Sequence, residues 1–266
     1  MLSSFRIGDK LVGKKQTFII AEIGMNHNNE MNTATMLIDD AIKAGVDAVK
    51  FQFLKPITEE NKRWYRSSII DYCEEKGILW TASTNDIEGI KFLEKNGVKF
   101  HKIASPQCAL RKDLVEEIAK TGKPIIMSTG YCNDATVRNR YELIEKHNDK
   151  LAILYCISEY PPRPETLNLS CIPYWSRLFN VPIGFSDHTV GWQATLASIA
   201  LGATVVEKHI TLDRLQEGPD HSFATEMEEL KAMVEDIRIV EKVFGHPGKI
   251  ITVKEMSNLR EIREKV

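Results

Sequence analysis

Ile183-Gly184-Phe185-Ser186-Asp187-His188-Thr189 and Val205-Val206-Glu207-Lys208-His209-Ile210-Thr211 decide how this 266-residue chain is read. Each is a short apolar run that closes on a histidine and precedes a helical pattern. His188 and His209 stand 21 residues apart, about the length of one βα unit. In a parallel α/β arrangement that offset puts both imidazoles at the same ends of adjacent strands. Two neutral imidazoles so placed can share one divalent cation. Taken singly, either histidine also fits a polar side chain hydrogen-bonded at a strand end. The repetition at a one-unit offset, followed at once by Gly218-Pro219-Asp220-His221, favours the pair.

Working outward, the same pattern recurs through the chain. Apolar or β-branched runs ending in polar residues occur at Phe18–Glu22, Asp47–Gln52, Ile78–Thr84, Phe100–Ser105, Pro124–Thr129, Leu151–Ser158, Val181–Ser186 and Thr204–His209. Between them lie amphipathic stretches. Ala34, Leu37, Ile38 and Ala41 follow helical spacing, with Asn32 as the expected N-cap. Met227, Leu230, Val234 and Ile237 repeat it. Gly45, Gly77, Gly97, Gly122 and Gly202 each fall between a helical stretch and the next run, where a left-handed turn ends a helix. Eight strands alternating with helices mean a (β/α)8 barrel or a large doubly wound sheet. No Gly-x-Gly-x-x-Gly follows the first strand, which removes the usual dinucleotide-binding form of the second. Phe5–Val12, with Gly8-Asp9 as turn residues, reads as a hairpin ahead of the barrel. The expected organisation is a barrel over residues 1–250 and a helical tail over 251–266.

A hydrophobic content of 43% and a charged content of 27% are ordinary for a globular domain. The net charge of −2 gives no polyelectrolyte signature, so neither nucleic acid nor an anionic membrane is expected as a partner. The five cysteines form no Cys-x-x-Cys pair and are odd in number, which speaks against a disulfide framework and for a reducing cytoplasm. Met1–Arg6 does not read as a signal peptide, and no apolar run of bilayer length occurs.

Barrel chemistry sits at the C-terminal ends of the strands. There the runs offer Glu22 with Asn26 and His27, Lys50 with Gln52, Ser83 with Thr84, and Lys102 with Ser105. The later runs offer Ser128 with Thr129, Ser158 with Glu159 and Tyr160, Ser186 with Asp187 and His188, and Glu207 with His209. Lys50 and Gln52 share one side of a strand by period-two alternation. A hydroxyl at such a place also serves as a helix N-cap. A lysine inside a strand run must snorkel outward or meet an anion. Two lysines with a ring of hydroxyls and backbone N–H groups make a cradle for phosphate and carboxylate. Glu22 and Asp220 would share that mouth with the histidines.

These residues also carry a resemblance. Ala21-Glu22-Ile23-Gly24-Met25-Asn26-His27-Asn28, Ala48-Val49-Lys50-Phe51-Gln52, Lys102-Ile103-Ala104-Ser105, Ile126-Met127-Ser128-Thr129-Gly130, Gly184-Phe185-Ser186-Asp187-His188-Thr189, Glu207-Lys208-His209 and Gly218-Pro219-Asp220-His221 resemble the sialic acid synthase family, in order from about residue 5 to about residue 245. The resemblance implies a (β/α)8 barrel that condenses phosphoenolpyruvate with N-acetylmannosamine or a related 2-acetamido hexose, with or without a 6-phosphate, releasing phosphate. It implies a divalent metal, Mn2+ or Mg2+, on His188 and His209. It implies phosphoenolpyruvate held by Lys50, Thr84, Lys102, Ser105, Ser128 and Ser186. Glu22, Gln52, Asp220 and Tyr160 would face the sugar, with Ser158 standing where an asparagine is common. Catalytic roles fall to Glu22, Lys50, Lys102 and Asp220.

Several departures accompany it, among them Ser158 and a segment between runs two and three that is short for the family. The family's Gly-Glu after the fourth strand reads Ser105-Pro106-Gln107 here, and Gln107 cannot act as a base. Family members usually carry a C-terminal antifreeze-like domain, swapped across a dimer, that lends an arginine to the partner's sugar site; the sequence in hand ends before it. The resemblance therefore implies a homodimer or a separate capping domain as partner. The competing readings are another metal-dependent barrel aldolase or ulosonate synthase, and a ligand-binding paralogue without turnover. Both histidines, both lysines, Glu22 and Asp220 together favour the synthase.

Overall fold

The computed structural model describes residues 4–14, 16–53, 56–245 and 248–264. Residues 1–3 of the N-terminal stretch and 265–266 of the tail lie outside the described residues. Strands β1 (Phe5–Ile7) and β2 (Lys10–Val12) pair antiparallel as the expected hairpin, Phe5 opposite Val12, with Gly8 in the left-handed region at φ 59°.

Eight further strands follow in chain order: β3 (Phe18–Gly24), β4 (Ala48–Phe53), β5 (Leu79–Thr84), β6 (His101–Ile103), β7 (Ile125–Ser128), β8 (Leu151–Cys156), β9 (Ile183–Asp187) and β10 (Val205–His209). Each falls within, or nearly on, one of the eight runs. They form one parallel sheet in the order β5-β4-β3-β10-β9-β8-β7-β6. The two end strands come together where Thr81 Oγ1 donates to the Phe100 carbonyl at 2.8 Å. The fold is a (β/α)8 barrel with an N-terminal hairpin.

Parallel strands covered on both faces read as nearly continuous apolar runs, which is why they were visible in the sequence. Their alternation builds two cores. Outward-facing Ile19, Ala21, Val49, Phe51, Trp80 and Val206 pack beneath helices that include Met31–Ala44 and Met227–Val243. Inward-facing Phe18, Ile20, Ala48, Phe100, Ile126, Leu154 and Val205 fill the lumen near the strands' N-terminal ends, and Phe5, Ile7 and Val12 of the hairpin close it from below. Phe18 and Phe100 meet edge to face across this plug, ring centroids 6.0 Å apart. Each such side chain contributes roughly 1.5–3 kcal/mol by leaving water. The plug leaves only the upper lumen for polar groups.

The five glycines expected to end helices all have left-handed φ, between 69° and 104°. One boundary differs. The first helix starts at Met31 with Glu30 at the N-cap position, and Asn32 lies inside the first turn. Left-handed Asn28 and Asn29, with the Glu30 N–H on the His27 carbonyl at 2.8 Å, bring the chain into the helix earlier than its apolar periodicity suggests. In the second helix of that pattern Met227 is half-buried, and Met233 joins Leu230, Val234 and Ile237 in the core. The helix Val253–Arg263 is exposed throughout. Among the described residues no helix is long and apolar enough to cross a membrane.

Candidate active site

Strand alternation carries a set of polar side chains above the apolar plug. Glu22 on β3, Lys50 and Gln52 on β4, Ser83 on β5, Lys102 on β6, Ser128 on β7, Cys156 on β8, Ser186 on β9 and Glu207 and His209 on β10 hold inward positions, in phase with the plug residues below them. All of them but Glu22 and Cys156 line a cavity of about 240 Å³ at the C-terminal ends of the strands.

Of the residues expected from sequence, Lys50, Gln52, Lys102, Ser105 and Ser128 line this cavity, as do Tyr160, Ser186, His188 and His209. Glu22 is wholly buried just outside the lining and is tied to it by accepting from Lys50 Nζ and, at 3.1 Å, from Gln52 Nε2. Asp220 approaches from the loop after β10, its Oδ2 3.8 Å from His209 Nδ1. Gly24 marks where three of these side chains converge. A methyl group there would sit 2.9 Å from Glu22 Oε1, 3.4 Å from Gln52 Nε2 and 3.7 Å from Asp220 Oδ2, and its φ of +55° already favours glycine.

Beyond Glu22 and Asp220, which reach the cavity only through its lining residues, Thr84 and Ser158 are turned away from it. Thr84 faces the opposite side of β5, with its side chain against Gly89 of the helix Ile87–Lys95 and its Oγ1 donating to the Asp86 carbonyl at 3.3 Å. Its neighbour Ser83 is the inward residue. Ser158 lies behind Gly130, lining a neighbouring surface pocket instead.

Glu207 is a central residue of the cavity to which the sequence assigns no role; it shares the end of the eighth run with His209. Two residues before His209, it shares that inward face. Its Oε1 lies 3.4 Å from Lys102 Nζ and accepts from Ser186 Oγ at 3.0 Å, and its Oε2 lies 3.9 Å from Lys50 Nζ. Lys102 Nζ also donates to Ser128 Oγ at 2.7 Å. Cys156 accepts from Ser105 Oγ at 3.5 Å. Gln107 contributes an amide oxygen that is buried without a hydrogen-bond partner among the described residues.

Burial sets the electrostatics. It pushes Glu22 up to about 7, with Glu207 adding to the effect against the pull of Lys50. It holds the Lys102 ammonium below its ordinary range, a cost that Glu207 offsets in part. Lys50 is held above its range because its carboxylate neighbours Glu207 and Glu22 outweigh desolvation. In the upper lumen two ammonium groups are thus balanced by two carboxylates. An incoming dianion can take over that balance.

The histidines meet as the one-unit offset predicted. β9 and β10 are adjacent, and the two rings are 5.4 Å apart. His188 Nδ1 donates to the Ile157 carbonyl at 2.9 Å if it carries the proton, which leaves Nε2 as the lone-pair nitrogen. Burial and the surrounding cations hold His209 neutral, well below its ordinary pKa, and its Nδ1 is buried without a partner. Tyr160 packs against His188 with centroids 4.3 Å apart and the rings tilted by 34°, and Phe223 closes over both imidazoles. Against the pull of burial, contact with Cys156 and the Ile157 carbonyl raises His188. The neutral, orphaned nitrogen of His209 and the Asp220 carboxylate beside it are therefore what suit a divalent ion, with His188 as the second donor once it gives up its proton. Among the described residues no three such side chains gather closely enough to hold one unaided.

The family model described as NeuB family matches residues 58–249. The chain is 35% identical to N-acetylneuraminate-9-phosphate synthase of Mus musculus over 92% of its own length and 76% of that protein's. It is 32% identical to N,N'-diacetyllegionaminic acid synthase of Campylobacter jejuni, over 94% and 84%. The crystal structure of N-acetylneuraminic acid synthetase from Leptospira borgpetersenii, in complex with citrate, superposes with a TM-score of 0.86 at 29% identity, covering 100% of this chain and 98% of that one.

Proposed function

The chain belongs to the NeuB family, and on that premise we propose that it condenses phosphoenolpyruvate with a 2-acetamido hexose to give a sialic-acid-type nonulosonic acid and phosphate. The observation that carries this reading is the pair of buried ammonium groups, Lys50 and Lys102, bracketing Glu207 beneath two imidazoles. Such a site suits a compact dianion next to a polar, uncharged carbonyl compound.

In this reading Lys50, Lys102 and the hydroxyls of Ser105, Ser128 and Ser186 hold the phosphate and carboxylate of phosphoenolpyruvate. C3 of its enol adds to the aldehyde carbon of the open-chain sugar, and positive character develops at C2. Water adds at C2 and phosphate leaves, so one phosphoenolpyruvate, one sugar and one water give one nonulosonic acid and one phosphate. The lysines stabilise charge on the departing phosphate from fixed, desolvated positions, where such help is worth most. Glu22, with a carboxyl that titrates near neutrality, suits proton transfer to or from the sugar oxygens. Gln52 and Asp220 converge with it beside Gly24 and would hold sugar hydroxyls, and Tyr160 would cover that side. A divalent cation on His188 and His209 would supply Lewis acidity at the sugar carbonyl. The test is phosphate release measured against a panel of 2-acetamido hexoses and their 6-phosphates. Release that requires both phosphoenolpyruvate and one of those sugars supports the reading; release from phosphoenolpyruvate alone, or none with any sugar, removes it.

A further inference from the structure

Beside the barrel mouth two sulfur atoms lie in contact. Cys108 Sγ and Cys132 Sγ are 3.6 Å apart, and both residues are free thiols. Cys108 belongs to the helix Ser105–Leu110 and is fully buried. Cys132 lies in the turn after β7, where its N–H donates to the Thr129 carbonyl at 3.1 Å, and is half-buried. Cys132 lines a surface pocket of about 390 Å³ that shares no lining residue with the barrel mouth. A small molecule in that pocket therefore meets Cys132, with Cys156 and Cys171 of the same lining, and not Cys108. Of these only Cys132 touches a second sulfur in a Cys–Cys contact among the described residues.

The pair is electronically uneven. Contact with Cys108 and the nearby Arg140 charge hold the Cys132 thiol below its ordinary range, while the same contact and burial hold Cys108 above its own. Arg140 is fixed there by Nε on the Cys108 carbonyl at 2.8 Å and by its second nitrogen on the Ala109 carbonyl at 3.3 Å. A disulfide bond of about 2.05 Å requires the sulfurs to close by roughly 1.5 Å, within reach of side-chain rotation and a small shift of the turn.

We propose that Cys108 and Cys132 are a redox-closable thiol pair, with Cys132 as the entry point for a small disulfide of the glutathione class. The Cys132 thiolate attacks one sulfur of the oxidant, whose S–S bond breaks and whose other half leaves as a thiolate. Cys108 then gives its proton to water and attacks Cys132 Sγ. The mixed disulfide breaks and the second thiolate leaves. The protein gives up two electrons and two protons, and the oxidant becomes two thiols.

Closure reaches the barrel mouth through Ser105. That residue begins the Cys108 helix, lines the mouth, and accepts from the Gly130 N–H at 2.9 Å, two residues before Cys132. Drawing the sulfurs together moves the turn against the helix and displaces the Ser105 hydroxyl. This consequence rests on the synthase reading; the crosslink itself does not.

The test incubates the intact protein with oxidised glutathione, alkylates the remaining thiols and maps the peptides by mass. The expected product is a Cys108–Cys132 crosslink with the other three of the five cysteines alkylated. Cys132→Ser is expected to leave its four remaining thiols free, and Cys108→Ser to stop at a glutathione adduct on Cys132. No crosslink, a crosslink to another cysteine, or first modification at Cys108 overturns the proposal. The mapping needs no turnover, so it fails or succeeds apart from the synthase assay. In protein that turns over, the crosslinked form is expected to lose about tenfold or more in rate, as ångström-scale misplacement does, and to recover with a dithiol. Full rate in the crosslinked form overturns the link to Ser105.

Discussion

Replacing Glu22 with glutamine keeps the side chain's shape and removes its titration. The wild-type carboxyl is wholly buried and is pushed from its ordinary 4.5 to about 7. Between those values the folded protein holds a proton that the unfolded chain has already released. Raising the pH through that window therefore opposes folding. The contribution is complete below 4.5 and is lost by the time the pH passes about 7. At about 1.4 kcal/mol per pH unit the loss amounts to about 3 kcal/mol. His27, held at about 4 by burial, and His209, also depressed, act in the opposite sense, gaining stability as pH rises, but both remain in the variant. Lys50 keeps Glu207 at 3.9 Å, so the substitution does not strand a buried ammonium without a counter-charge. The assay is urea unfolding followed by tryptophan fluorescence from about pH 5 to about pH 8, where the stability difference between wild type and Glu22→Gln should swing by about 2.5 kcal/mol in favour of the variant. Parallel stability curves for the two proteins would refute the assignment of a near-neutral carboxyl to Glu22.

Gly184→Ala should destabilise the barrel by about 3 kcal/mol, lowering Tm by on the order of 10 °C in a calorimetric scan, because the new methyl would lie 2.3 Å from the Val205 carbonyl oxygen and 2.5 Å from Leu154 Cδ2. His209→Ala should lose roughly a hundredfold or more in manganese affinity by titration calorimetry, since one of two imidazole donors disappears; unchanged affinity would move the metal elsewhere. Thr84→Val should leave the KM for phosphoenolpyruvate within about twofold while costing about 1 kcal/mol of stability through its lost hydroxyl bond, whereas Ser83→Val, which fills the cavity wall, should raise that KM. The reverse ranking in initial-rate measurements would mean that β5 presents the other face.

The eight strands were legible because a strand covered on both faces is apolar almost throughout, and the helices between them show their own period. Lys50 and Gln52 were legible for a related reason: two polar residues at a spacing of two in an apolar run must share a face. Ser83 and Thr84 defeated the same logic, being adjacent, polar and equally able to end a strand. One residue of phase decides which hydroxyl enters the lumen and which meets the helix at Gly89. Glu207 carried a signal, its spacing of two from His209, that the histidine overshadowed. Cys156 carried none, since an inward cysteine in an apolar strand reads like any other small buried residue.

By itself the chain's order of residues determined eight strands alternating with helices, with polar groups gathered where the strands end, because periodicity and buried polar chemistry are local properties. The meeting of Lys50 on β4, Lys102 on β6 and Glu207 on β10 was decided only in three dimensions. Those strands are not neighbours in the sheet. Their side chains face one another across the lumen because the sheet curls back on itself, and no spacing along the chain records that closure.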